Sequence, residues 1–135
     1  MGTYTQLKLD VELSASLPRT IRDGLAQLLD RDREEPYTGH AHPFFAAPRA
    51  DMAFWGEAAT PPTLAASARG WTLHVASDFK EYDGEIDLLL DLLSPHVVAR
   101  PREVVGSTRF EEWAAPAPVR YDGTRLVREF PWWRS

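Results

Sequence analysis

The chain has 135 residues, 44% of them hydrophobic, which suits one domain with an ordinary core. It has no cysteine, so disulfides and thiolate metal sites are excluded. A formal net charge of -5 and a pI near 5.3 argue against wrapping nucleic acid through phosphate contacts.

No apolar run reaches the length of a membrane span, and the start of the chain lacks a basic flank followed by an apolar stretch. A cytoplasmic location without membrane association is the expectation. Lys8 and Lys80 are the only lysines among many arginines, and Ala and Pro are abundant, a bias that suits a GC-rich genome.

In residues 3–13 the apolar set Leu7, Leu9, Val11 and Leu13 alternates with Lys8, Asp10 and Glu12. That period of two predicts a strand with one dry and one wet face, as in an antiparallel sheet covered on one side. After a turn, with Ser16 the candidate cap and Pro18 suited to the first helical turn, Ile21, Leu25, Leu28 and Leu29 mark a helix to about Asp30. Gly24 inside it costs roughly 1 kcal/mol against Ala, so either packing is close there or the helix is modest.

Residues 31–50 read as a long loop, a length that points to function or mobility. Residues 51–57 suggest a strand, and Thr60-Pro61-Pro62 breaks the chain after it. The short run Thr63–Ser67 follows, and Ala68-Arg69-Gly70 should return it as a hairpin. Residues 71–96 form the best-signalled unit. Trp71, Leu73 and Val75 alternate as a strand, Asp83 stands at an N-cap position with Glu85 in the first turn, and Ile86, Leu89, Leu90 and Leu93 make an apolar helical stripe. Pro95 should stop that helix near Leu93 by turning Ser94 away from helical geometry.

A connector leads to a strand at 103–113, with Gly106 a candidate bulge. The Pro-rich run 114–118 then precedes a hairpin turning at Asp122-Gly123. The order β-α-β-β-β-α-β-β-β predicts an α+β two-layer sandwich. It has a mostly antiparallel sheet and two helices on one face, a variant of the ferredoxin-like arrangement. The expected organisation is a single domain over 1–135, with the 31–50 loop and an aromatic tail at 131–135.

The opening GTYTQLKL, the HPFF segment, Lys80, the Tyr82-Asp83-Gly84-Glu85-Ile86 run and Phe110-Glu111-Glu112 resemble a family of small single-domain bacterial proteins. The resemblance covers most of residues 2–122 and implies a shared fold. It brings no established activity.

Candidate chemistry is sparse. His40-Ala41-His42 places two imidazoles where they could share a metal with Asp51 or His74. No HExxH or carboxylate triad accompanies them, so they read as polar loop groups and no cofactor is expected. His74 lies on the polar side of its strand, where a neighbouring strand could bring Asp51, Glu57 or Tyr4 to it. The preferred reading is a cross-strand hydrogen bond. The turn at 80–83 opens a helix that could take an anion, but its acids oppose that. Glu103, Glu111 and Glu112 suit a solvated face or an acidic edge.

Aromatics are the heavier signal. Phe44, Phe45, Trp55, Trp132 and Trp133, with His40, are the candidate partner- or ligand-binding residues, because aromatic side chains are enriched at interface hot spots. The leading reading is a non-catalytic interaction protein of the inhibitor or immunity kind, binding another protein or itself as a homodimer. The alternative is a small enzyme or ligand-binding domain. In that reading His42, His74 and a carboxylate such as Asp51 converge in a pocket between the sheet and the 31–50 loop, around a small molecule.

Overall fold

Ten residues of strict alternation anchor the sheet. In β1 (Thr5–Ser14) the side chains of Leu7, Leu9, Val11 and Leu13 are fully buried, while Lys8 and Asp10 are exposed. The computed structural model describes residues 5–29, 37–46, 52–53, 63–79, 84–110 and 115–129. Within them, β1 is followed by α1 (Arg19–Leu29), β2 (Met52–Ala53), β3 (Thr63–Ser67), β4 (Gly70–Phe79), α2 (Glu85–Leu93), β5 (Val104–Phe110), β6 (Ala117–Tyr121) and β7 (Leu126–Arg128). Two short 3-10 turns, Pro43–Ala46 and Ser94–His96, are interposed in the expected order.

β4 pairs with β1 along its whole length, from Thr5 opposite Phe79 to Ser14 opposite Gly70, and β5 pairs on the other side of β1. Both β2 and β3 lie along the far edge of β4, and β6 and β7 extend the sheet beyond β5. Every described pairing is antiparallel. The core β1-α1-β3-β4-α2-β5, in the spatial order β3-β4-β1-β5, is the split β-α-β arrangement of ferredoxin-like sheets. The β6–β7 hairpin is an addition to it. The fold is α+β, as the periodicities require.

Both helices turn their apolar stripes to one face of the sheet. Ile21 and Leu25 of α1 and Ile86, Leu89, Leu90, Leu92 and Leu93 of α2 join Leu7, Leu9, Val11, Leu13, Leu73, Val75 and Phe79 in one hydrophobic cluster. Such side chains each contribute roughly 1.5–3 kcal/mol on burial, and this cluster holds the two layers together. Among the described residues no helix is long and apolar enough to cross a membrane.

Several local expectations need correction. The turn before α1 is built by Ser14, whose hydroxyl accepts the Ser16 N–H at 3.1 Å, and Ser16 only pairs its hydroxyl with that of Ser14. Pro18 supplies the first helical carbonyl, bonded by Arg22 N–H at 3.0 Å. The N-cap of α2 is Gly84 in left-handed geometry, without a side-chain cap; Asp83 lies outside the described residues. Ser94 keeps helical angles (φ -49°, ψ -45°) despite preceding Pro95, because its buried hydroxyl is held at both ends. It donates to Leu90 O at 2.6 Å and accepts Leu126 N–H at 2.8 Å, tying α2 to β7.

The Asp122-Gly123 turn spans four residues, since Tyr121 pairs with Leu126 and Asp122 Oδ1 gathers Thr124 N–H, Thr124 Oγ1 and Arg125 N–H. β2 covers two residues of the strand expected at 51–57, the rest of which lies outside the described residues. Two glycines are dictated by close backbone approach. A Cβ on Gly70 (φ +146°) would strike the Leu13 carbonyl, and one on Gly106, at the β5 bulge, would strike that of Lys8.

The described part of the long loop, 37–46, is packed. Phe44 and Phe45 are buried in the core, and Tyr37 donates its hydroxyl to Thr20 O at 2.7 Å. Gly24 makes this possible: a Cβ there would sit 2.6 Å from Phe45 Cε1 and 2.7 Å from Tyr37 Cδ2. Close packing, rather than a weak helix, explains the glycine.

Candidate functional site

The histidines fall on two sides of the molecule. His74 alternates with the buried Leu73 and Val75, so it lies on the sheet face opposite the helices, directly across from Asp10 and Thr63. His42 lies on the helix side, its Nε2 2.9 Å from Asp91 Oδ2 on α2. The sheet separates the two, so His42 and His74 do not converge in one pocket. The cross-strand carboxylate beside His74 is Asp10. Asp51, Glu57 and Tyr4, the groups expected there, lie outside the described residues.

On the helix side the imidazoles are occupied locally. His42 Nδ1 accepts the Phe44 N–H at 3.1 Å, and His40 Nδ1 accepts the His42 N–H at 3.1 Å. The His40 ring also meets Phe45 edge-on, with centroids 5.8 Å apart. A His–Asp pair that serves as a general base needs its second ring nitrogen facing a substrate. Here that nitrogen holds the backbone, so the pair works as a clasp. His96, in the turn after α2, has its pKa pushed below the ordinary histidine value by burial and then by the nearby His40. Among the described residues no group of three His or carboxylate side chains is arranged to hold a metal ion.

The other side carries a groove of about 470 Å³ lined by Asp10, Glu12, Arg69, Val98, Ala99, Arg100 and Glu103. Its floor is the wet face of β1. Its walls come from the β3–β4 turn and from the segment that returns after α2. That segment touches β1 where Val98 N–H bonds Glu12 O at 2.9 Å, then leaves it before β5 begins. The excursion is closed by a tight turn in which Glu103 N–H bonds Arg100 O at 3.0 Å. Pro101 suits its second position, and Arg102 takes φ +71° at the third, a left-handed geometry that a type II turn demands and a side chain resists. A bulge between Val104 and Gly106 follows at once. Backbone strain and bulges concentrate where a surface is shaped for use.

The groove holds three carboxylates and two guanidiniums in loose association. Arg69 stands 3.9 Å from Glu12, with both side chains substantially exposed, and Glu103 Oε1 accepts the Arg100 N–H at 3.3 Å. These charges are largely hydrated, so a ligand can exchange water for them at little cost.

Of the aromatic candidates, Phe44 and Phe45 are used by the core, and Trp55, Trp132 and Trp133 lie outside the described residues, as do Trp113, Glu111 and Glu112. Trp71 packs against the cluster with the Arg22 guanidinium 4.9 Å from its ring. Exposed large apolar side chains among the described residues are Val104 and Val127, which flank Arg120 on the sheet face opposite the helices. Sequence reasoning missed Asp10, Glu12, Arg69, Arg100, Asp91 and His96. The wet-face alternation of β1 was the available signal for the first two. Comparison with family models, with curated proteins and with solved structures returns no match, including for the segments that carry the family resemblance.

Proposed function

We propose that this is a non-catalytic binding protein that presents the sheet face opposite its helices, centred on the groove beside β1, to a polar segment of another protein. The observation that carries this reading is the groove itself, with exposed charges of both signs set on a rigid strand and a strained turn. Charge complementarity of that kind gives specificity and fast association more than raw affinity. The mixed signs and the scarcity of exposed apolar side chains among the described residues favour a hydrophilic partner over an apolar homodimer contact. A cytoplasmic setting, an inhibitor-like role and self-association belong to this proposal as its finer parts.

A second reading rests on the volume: about 470 Å³ falls within the range of pockets for small molecules. A small polar ligand would then sit where the partner segment is placed. Native mass spectrometry of untagged protein from its own host separates the two readings. The interaction reading expects a co-purified polypeptide whose retention is lost in the charge-reversed Glu12→Lys/Glu103→Lys variant while circular dichroism is unchanged. A retained small molecule, or a partner indifferent to that variant, would overturn it.

A further inference from the structure

The segment 37–46 is fastened by ring nitrogens that must be free of protons. His40 Nδ1 and His42 Nδ1 each accept a backbone N–H at 3.1 Å, from His42 and Phe44 respectively. A ring nitrogen that accepts a hydrogen bond carries no proton, so both imidazoles are neutral and hold their proton on Nε2. His42 turns that proton to Asp91 at 2.9 Å. The same imidazole therefore clips the segment to itself and to α2. Charging either ring sets N–H against N–H at its Nδ1 and breaks that acceptor bond.

The titratable and charged groups that the described residues bring to this segment are few. They are Asp91 from α2, His96 from the turn after it, and Tyr37, whose hydroxyl reaches Thr20 O on α1. Asp91 favours a charged His42, but its side chain is 65% exposed and its attraction is screened by water. His96 acts in the opposite sense, since it lies close enough to His40 for like charge to be felt and burial already disfavours its own protonation. Beneath the segment lie Phe44 and Phe45, 1% and 6% exposed, stacked edge to face with centroids 5.7 Å apart.

We propose that segment 37–46 is a proton-released latch: neutral His40 and His42 clip it to the helix layer, and charging them frees it and uncovers Phe44 and Phe45. Acidification through the histidine range then converts a buried aromatic pair into an exposed apolar patch, the kind of surface that recruits a partner.

Amide hydrogen exchange on the full chain, corrected for intrinsic rates, tests this at pH 7.5 and 5.5. Protection of the Phe44 and Phe45 amides should fall at least tenfold at the lower pH relative to the β1 amides. In the His40→Asn/His42→Asn variant, an amide oxygen that does not titrate replaces each Nδ1, and protection should stay level between the two pH values. Equal protection of the wild type at both pH values would overturn the latch, and so would the same tenfold loss in the double variant. Nitrogen-15 spectra of the wild-type rings give a reading that needs no variant. Protonation of Nδ1 in step with the loss of protection supports the latch, and protonation with Phe44 still protected refutes it.

Discussion

Removing one buried hydroxyl, by Ser94→Ala, tests how the two layers are joined at the end of α2. Ser94 is 7% exposed, and its Oγ both donates to Leu90 O and accepts from Leu126 N–H. The two losses are unequal. Leu90 O still receives the backbone N–H of Ser94, so it is not orphaned. Leu126 N–H, in a residue 4% exposed at the edge of the sheet, loses its acceptor. An unsatisfied buried donor costs about 1–3 kcal/mol, against 0.5–1.5 for an ordinary net hydrogen bond. A destabilisation of about 2 kcal/mol is therefore expected. With an m-value of about 2 kcal/mol/M, ordinary for a small domain in urea, the midpoint should fall by about 1 M in circular dichroism. The exposed Ser16→Ala serves as the control and should move it by about a tenth of that. A fall below about 0.25 M for Ser94→Ala would mean that water or a backbone shift satisfies Leu126, and the reasoning from burial would be wrong.

Three further outcomes follow from the same structure. Gly24→Ala gains about 1 kcal/mol of helix propensity yet places a Cβ within 2.7 Å of Phe45 and Tyr37; overpacking of about 1–3 kcal/mol should win, and thermal melting that shows net stabilisation would refute the close packing. Arg102→Gly relieves the left-handed φ of +71° while keeping the backbone bond to Tyr121 O; stability should be unchanged or rise by up to about 1 kcal/mol, and a loss above that in urea titration would show that the side chain does more than fill the turn. Asp122 has its pKa held below the usual carboxylate value, first by the Thr124 and Arg125 N–H groups and then by the Thr124 hydroxyl. Its folded value lies below its unfolded one, so its contribution is complete above about pH 4 and is lost as pH falls through the folded value. Acid titrations of Asp122→Asn should lack that component, and an identical acid limb in wild type and variant would refute it.

Legibility followed the range of the interaction concerned. The alternation in β1 and β4 and the stripe of α2 are local properties of the backbone, so the layers and their inner faces could be read directly. Phe44 and Phe45 looked like exposed loop aromatics because nothing within five residues of them reveals a hole. The hole is made by Gly24, some twenty residues earlier, whose missing Cβ admits their rings. His42 and His74 seemed candidates for one pocket because sequence distance says nothing about which side of a sheet a loop crosses.

What the amino-acid order determined alone was the period of each element, the apolar face it must bury, and the absence of thiol chemistry. The tertiary structure decided the pairings. It set His74 beside Asp10, His42 against Asp91, and Arg69 and Arg100 around the carboxylates of β1. The reason is physical. Side-chain direction follows from neighbouring dihedral angles, whereas register and packing are chosen by the free energy of the whole folded chain, which no short stretch contains.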